Sequence, residues 1–528
     1  MDVIATILGL LGAVAVLSLV AQKVNLPYPA VMVVAGLGVS FIPHLPPIRI
    51  PPETMYLLLL PPLLYSGAWE MPWRDFRMNL RPILLLAIGF VAFTTFAVGA
   101  VMHAAVRGLP WVAALVLGAI VSPPDAVAAE AITDRLGVPS RVSVILKGEG
   151  LVNDASGLAL YRLLVGAAVA GSFSVTKGLG QAAWMAGGGV AIGLAVGWLA
   201  VRVHRSLEEP LSETVITLLT PFVAFLPAEA CGASGVLSTV VAGLYVSRLS
   251  PFVFSARLRL RAGAVWDTLT FMLNGLTFVL IGLQLRSSLV AAESEHESLR
   301  AIAGYAALLI ATVVLARVVW VFPAAYLPTL LPRSRTTGRP LASWRRVFLV
   351  AYTGMRGVIS LVAALSLPAA VASGAPFPRR GLIIVLAFAV IFVTLVVQAL
   401  TLPALIRRLG ISKGSGARCE EWEARLEAIR AALQRIDELS RDPHVPQDVL
   451  RGLRAYYGRE EGYLSHAAGN RDNACEPPET PVEHIRLDLL HAQRRRLLEL
   501  YAEDRINEEM LRNIEQNLDL EELRLAPP

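Results

Sequence analysis

Four ionisable residues stand out among those inside long apolar stretches of this chain. Asp125 follows two prolines in Ser122-Pro-Pro-Asp125-Ala-Val-Ala. Glu149 and Asp154 share the run Lys147-Gly-Glu149-Gly-Leu-Val-Asn153-Asp154, and Arg356 sits between glycines in Gly354-Met-Arg356-Gly357. A charge near the centre of a bilayer costs about 3 kcal/mol or more, so each of these marks a functional site by default. Carboxylates, amides, hydroxyls and freed backbone carbonyls are hard oxygen donors, and the chemistry they suit is binding of protons and of small cations such as Na⁺ or K⁺.

Local structure sharpens the assignment. Pro123 and Pro124 each lack an N–H and crowd the carbonyl four residues back, so a helix through 110–132 must break about halfway. Irregular backbone survives at that depth only when it faces protein or a wet cavity, and carbonyls freed beside Asp125 make a cation site. In the next stretch, at about 100° per residue, Lys147 and Gly150 lie on roughly the same face as Asp154 while Glu149 points elsewhere. Gly150, Ser156 and Gly157 leave little bulk around Asp154, so another helix or a hydrated cation can approach it. Glu149 needs a basic partner from another helix, and Arg317 and Arg356 are the candidates. The glycine-flanked Arg356 suggests a second interrupted helix, seven apolar stretches after the first one. Paired interruptions at corresponding positions of two halves are the sequence pattern of a transporter binding site built on inverted repeats. Arg356 would then hold fixed positive charge near the crossing. Glu229, beside Pro227 and Cys231, reads as an interfacial structural residue; Asp267 reads as the acid opening the helix at 265–286, and Asn274 as a residue lining the route.

The elements that must position these residues are membrane spans. The 528 residues are 55% hydrophobic and only 17% charged, with mean hydropathy +0.58, too apolar for an ordinary soluble enzyme. About thirteen stretches have the length that crosses a hydrocarbon core of about 30 Å: residues 4–22, 28–43, 54–70, 83–104, 110–132, 142–171, 179–203, 211–230, 233–247, 265–286, 301–327, 346–370 and 381–406. The first lacks a basic leader and reads as a span, not a cleaved signal. The formal charge of +6 divides into +13 for residues 1–410 and −7 for residues 411–528, so the basic excess belongs to membrane loops and gives no reason to expect nucleic acid. Alternate loops beginning after the first span hold seventeen Lys and Arg, against seven in the other set. That bias puts the first set in the cytoplasm, the N-terminus outside and the tail inside. The fold class is therefore all-α and multi-pass, with a transmembrane domain at 1–410 and a helical cytoplasmic tail at 411–528. Within the tail, 419–440 and 483–524 carry helical periodicity, and Asn473 to Pro481 reads as a linker. Three cysteines, Cys231, Cys419 and Cys475, form neither a disulfide framework nor a CxxC pair.

With these residues collected, the body of the chain resembles the monovalent cation/proton antiporter-1 family, the bacterial sodium/proton exchangers. The resemblance rests on Ser122-Pro-Pro-Asp125-Ala-Val-Ala, Gly148-Glu-Gly-Leu-Val-Asn-Asp154-Ala and Gly354-Met-Arg-Gly357, in that order over residues 1–410. It implies that Asp154 is the essential cation- and proton-binding carboxylate, with Asn153, Asp125, Pro124 and Ser122 completing the ion site. It also implies that Glu149 pairs with Arg317, that Gly354, Arg356 and Gly357 support the second broken helix, and that the protein is a homodimer. Relatives often have Asp-Pro where Asp125-Ala126 stands, a hydroxyl at the position of Gly150, and an acid where Leu64-Tyr-Ser66 offers only Ser66. Ion preference is therefore not carried across.

The expected function is exchange of Na⁺, or of Li⁺ or K⁺, for H⁺ across the cell membrane, electroneutral because Asn153-Asp154 offers one exchangeable charge where two adjacent acids would offer two. The ions are cargo and no cofactor is expected. A K⁺/H⁺ antiporter is the main alternative. A cation channel is the rival from another class, separable because it conducts without proton coupling. A hydrolase is disfavoured, since no Gly-x-Ser-x-Gly or His-Glu-x-x-His appears.

Overall fold

A computed structural model describes every residue except 1, 25, 42–51, 134–135, 172–173, 208, 294–297, 331–342, 412–414, 443–444, 470–480, 504, 506 and 526–528. The expected linker lies outside the described residues apart from Pro481, as do the loop bases Arg49, Arg135, Arg333, Arg335, Arg339 and Lys413.

Among the described residues the chain is helical, with one isolated bridge between Ala370 and Pro376. The membrane body contains α1 (Asp2–Lys23), α2 (Tyr28–Ser40), α3 (Pro52–Glu70), α4 (Trp73–Met78), α5 (Leu80–Ala105), α6 (Trp111–Val121), α7 (Ala126–Thr133) and α8 (Ser140–Ala170). It continues with α9 (Val175–His204), α10 (Pro210–Ala230), α11 (Gly235–Val253), α12 (Ala256–Glu293), α13 (Leu299–Leu330), α14 (Trp344–Tyr352), α15 (Val358–Leu365) and α16 (Arg380–Leu409). Among the described residues eight helical stretches are long and apolar enough to cross a membrane, counting α6 and α7 as one, and the remaining apolar stretches also hold helix.

One expected boundary is corrected. The helix expected at 265–286 begins at Ala256, so Asp267 is an exposed residue well inside α12 and not the acid at its N-terminus. Ser255 Oγ accepts from Leu258 N at 3.1 Å and caps the true start. Arg257, Arg259 and Arg261 form the polar face of the first turns, which a hydropathy scan reads as loop.

Packing separates the helices into two groups. α8 lies against α5, α6 and α7, while α3, α9, α10 and α11 pack mainly among themselves and α12 packs chiefly on α2 and α16. The closest approaches use glycine: Gly193 of α9 faces the Ser238 carbonyl of α11, and Gly282 of α12 faces the backbone of α2. Small residues let helices pack tightly where hydrophobicity gives no preference between helix and lipid. Two wide π turns, Leu85–Phe90 in α5 and Thr394–Gln398 in α16, interrupt otherwise regular helices. Such turns expose backbone groups for side chains to use. Ser156 Oγ donates to the Ala87 carbonyl at 2.5 Å and Trp320 Nε1 to the Leu85 carbonyl at 3.0 Å.

The chain divides into two compact units, residues 1–412 and 413–528. In the second, α17 (Ser415–Leu439) packs on α18 (Gln447–Gly469), and α19 (Pro481–Ala502) packs on α20 (Glu508–Leu525). The helix at 447–469 was not anticipated by periodicity. The stretch 483–524 divides in two because Asn507 Oδ1 accepts from Met510 N at 2.7 Å and starts a new helix.

Candidate functional site

The prolines end α6 at Val121 and delay α7 until Ala126; the glycine-rich run from Thr353 to Gly357 separates α14 from α15. The two interruptions touch. Asp125 N donates to the Met355 carbonyl at 2.6 Å, and Gly357 lies so close to the Asp125 carboxylate that a Cβ there would overlap it.

Charge at the crossing follows the helix ends. Half-helices present partial positive charge at their N-termini and partial negative charge at their C-termini. Asp125 Oδ1 accepts from Val127 N at 2.9 Å in the first turn of α7, and the same carboxylate faces Gly357 at the start of α15. Arg356 serves the opposite ends: its Nε donates to the Val121 carbonyl closing α6 at 2.9 Å, and its Nη1 donates to the Gly354 carbonyl just beyond α14. Its backbone N donates to Thr394 Oγ1 at 3.1 Å, beside the π turn of α16. Arg356 is fully buried. It therefore lies in the protein interior at the crossing of the broken helices, and not at a lipid-facing mouth.

α8 runs past this crossing. Asn153 Nδ2 donates to the Pro124 carbonyl at 2.9 Å, and Gly150 packs on Ala126 and Gly157 on Pro123 so closely that larger residues would push the helices apart. Asp154 is half-buried on the same stretch of α8. It lines a cavity of about 240 Å³ together with Asp125, Ser66, Lys147, Asn274 and Ser360. Asp125 Oδ2, Asn274 Oδ1 and Ser360 Oγ have no hydrogen-bond partner among the described residues. Buried polar atoms are normally satisfied. Three orphaned oxygens in one cavity, beside Asp154, provide ligands that the protein itself does not use.

Of the expected ligand residues, Asp154 and Asp125 line the cavity, and Asn153 keeps a buried Oδ1 with no partner among the described residues. Ser122, Pro124 and Asn153 do not line the cavity. Ser122 Oγ turns back to the Ala119 carbonyl at 3.2 Å, and Asn153 binds the carbonyl of Pro124. Four of the carbonyls at the breaks, those of Val121, Gly354, Pro124 and Met355, accept from Arg356, Asn153 and the Asp125 amide. A buried carbonyl without a donor would cost about 1–3 kcal/mol, so the side chains that satisfy these groups hold the crossing in shape and leave side-chain oxygens to face the cavity.

Behind the site, Glu149 meets Arg317 in a two-point contact, Nη1 to Oε1 at 2.7 Å and Nη2 to Oε2 at 2.9 Å. Arg317 Nε also donates to the Val350 carbonyl of α14 at 3.2 Å, and its guanidinium lies over the Phe90 ring. Glu149 thus ties α8 to α13 and α14 without entering the cavity.

One contributor was placed from sequence without a role, and another was missed. Lys147 lines the cavity and pairs with Glu130 of α7 at 3.6 Å; its shared face with Asp154 was the available signal. Thr394 supports the Arg356 backbone from a helix distant in sequence, and nothing local marks it. A larger vestibule of about 810 Å³, lined by Gln22, Pro27, Leu136 and Arg407, shares Tyr28 and Ala131 with the cavity. The cavity thus adjoins a wide mouth on the side of the basic loops.

The chain is similar to known proteins over most of its length. A family model described as sodium/hydrogen exchanger, transmembrane, matches residues 9–408. An uncharacterized Na⁺/H⁺ exchanger of Mycobacterium tuberculosis is 32% identical over 99% of this chain and 96% of its own. The sodium, potassium, lithium and rubidium/H⁺ antiporter of Bacillus subtilis is 31% identical over 83% of this chain and 66% of its own. Among solved structures, the sodium proton antiporter MjNhaP1 from Methanocaldococcus jannaschii superposes with a TM-score of 0.58 at 17% identity, covering 78% of this chain and 99% of that one. This last likeness concerns the fold.

Proposed function

The chain belongs to the sodium/hydrogen exchanger family, and on that premise we propose that it is a secondary antiporter exchanging Na⁺ for H⁺, with Asp154 carrying the two in turn. The observation that carries the reading is the cavity at the crossed breaks, where two carboxylates and unpartnered oxygens of Asn274 and Ser360 face one another. A water occupies about 30 Å³ of liquid, so a cavity of about 240 Å³ has room for a partly hydrated cation.

Binding of Na⁺ by Asp154 and Asp125 expels the proton from Asp154. The helices around the crossing then shift against α3, α10 and α11, and the opposite face exchanges the ions. Arg356 and Asn153 hold the carbonyls of the breaks throughout. Asn153 beside Asp154 leaves one exchangeable charge on that stretch, and exchange is one for one and electroneutral. K⁺ and Li⁺ are competing cargo in this scheme, since the Bacillus relative is named for both.

The protein resides in the cell membrane as a homodimer, with the N-terminus outside and residues 411–528 in the cytoplasm, and the vestibule at Arg407 is the cytoplasmic mouth. The loop charges support that orientation. The test is Asp154→Asn in everted vesicles: cation-dependent proton movement with Na⁺, Li⁺ and K⁺ in parallel is expected to vanish while the protein still folds. Retained exchange with unchanged pH dependence refutes the assignment, and conduction without proton coupling turns the reading to a channel.

A further inference from the structure

Arg162 lies eight residues beyond Asp154 in α8, about 12 Å along the axis at about 1.5 Å per residue and about 80° around it. Its Nη2 donates to Glu229 Oε2 and to Tyr56 Oη, both at 2.7 Å. Tyr56 Oη donates to Glu229 Oε1 at 3.3 Å, and the backbone N of Gly235 donates to the same oxygen at 2.9 Å. The guanidinium also lies 5.7 Å from the centroid of the Tyr56 ring. One side chain of α8 is thereby joined to α3, to the last turn of α10 and to the start of α11. These three helices belong to the group that packs apart from α5, α6 and α7.

The direction of this cluster matters. The cavity adjoins the vestibule through Tyr28 and Ala131, near the end of α7 and the N-terminal half of α8. Arg162 stands on the other side of Asp154, toward the C-terminal end of α8. We propose that Arg162, Glu229 and Tyr56 form a latch that closes the Asp154 cavity on the face away from the Arg407 mouth and opens once in every transport cycle. This rests on the exchanger reading above, in which Asp154 must reach both faces.

Solvent access separates this cluster from a permanent brace. The side chains of Arg317 and Glu149 are each 2% exposed, whereas those of Arg162 and Glu229 are 32% and 22% exposed. The second pair is the more accessible of the two, so parting it strands less buried charge and costs less than parting the Arg317–Glu149 pair. Arg162, Glu229 and Tyr56 touch no cargo; they are positioning residues, and their effect is on which face sees the site.

The test uses sided labelling. With Cys231, Cys419 and Cys475 replaced by serine, Leu158→Cys places a thiol one turn from both Asp154 and Arg162, between their two faces. A membrane-impermeant methanethiosulfonate is applied separately to right-side-out and everted vesicles. Adding Glu229→Gln is expected to raise labelling from the face away from the Arg407 mouth about tenfold, and Tyr56→Phe a few-fold, with no rise from the mouth side. Unchanged labelling overturns the proposal, and so does an equal rise from both faces, which signals general loosening. If Leu158→Cys does not fold, hydrogen exchange of the Glu229→Gln protein decides instead. Faster exchange confined to 158–170 and the first turn of α11 supports the latch; unchanged exchange there sinks it. Neither readout requires transport, so failure of the latch and failure of Asp154 as carrier are told apart.

Discussion

Arg317 and Glu149 face each other through two parallel hydrogen bonds of 2.7 and 2.9 Å with both side chains buried. Such a pair gives little net stability over apolar residues of the same shape, but losing one partner strands a buried charge at a cost of about 3–5 kcal/mol. Glu149→Ala is therefore expected to fall sharply in expression or melting temperature in detergent, and Glu149→Gln less so. A stable, fully active Glu149→Ala protein would show that the pair does not hold α8 to α13.

Gly357 gives a second, steric prediction. A Cβ there overlaps the Asp125 carboxylate, and relieving the clash displaces either Asp125 or the start of α15, at about 1–3 kcal/mol. Gly357→Ala should lose most exchange activity and melt lower, whereas Gly12→Ala, with nothing within 4 Å of the added carbon, should leave both unchanged. Equal behaviour of the two variants in a vesicle assay contradicts the contact.

Lys147 adds positive charge to the wall of the cation cavity, about two helical turns from Asp154 and partly offset by Glu130 at 3.6 Å. Repulsion over that distance is modest once solvent screens it. Lys147→Ala is expected to lower the KM for Na⁺ about two- to fivefold, and Glu130→Gln to raise it. Measuring initial exchange rates against Na⁺ concentration decides the matter: KM values that move together, or not at all, contradict the electrostatic role.

Competition at one carboxylate fixes the form of the pH dependence. Cation binding requires the deprotonated group and releases its proton. As pH falls and protons fill the site, the apparent KM for Na⁺ should climb up to about tenfold per pH unit, while the rate at saturating Na⁺ on that side holds. A fall in maximal rate with constant KM in vesicles of controlled pH points to a separate regulatory site.

Much of this was readable from residue order. Pro123 and Pro124 each withdraw a helical donor, which makes a weak point before Ala126 legible from backbone chemistry, but Pro61 and Pro62 sit inside the continuous α3, so the break itself was settled by the packing at the crossing. The apolar stretches, the charges among them and the contrast between a basic body and an acidic tail are likewise properties of composition. The start of α12 at Ala256 was hidden because its first turns are amphipathic, and hydropathy sees only their arginines.

The pairings were decided by tertiary structure. Spacing offered both Arg317 and Arg356 to Glu149; α13, packed on α5 and α14, brings Arg317 to it, while Arg356 is taken up by the carbonyls of Val121 and Gly354. The crossing of the two broken helices gave donors to four of the freed carbonyls, and left Asp125, Asn274 and Ser360 with oxygens facing the cavity. Periodicity reports which face of a helix is apolar. Which partner a buried polar group finds depends on helices that meet hundreds of residues apart, and only the packed structure determines that.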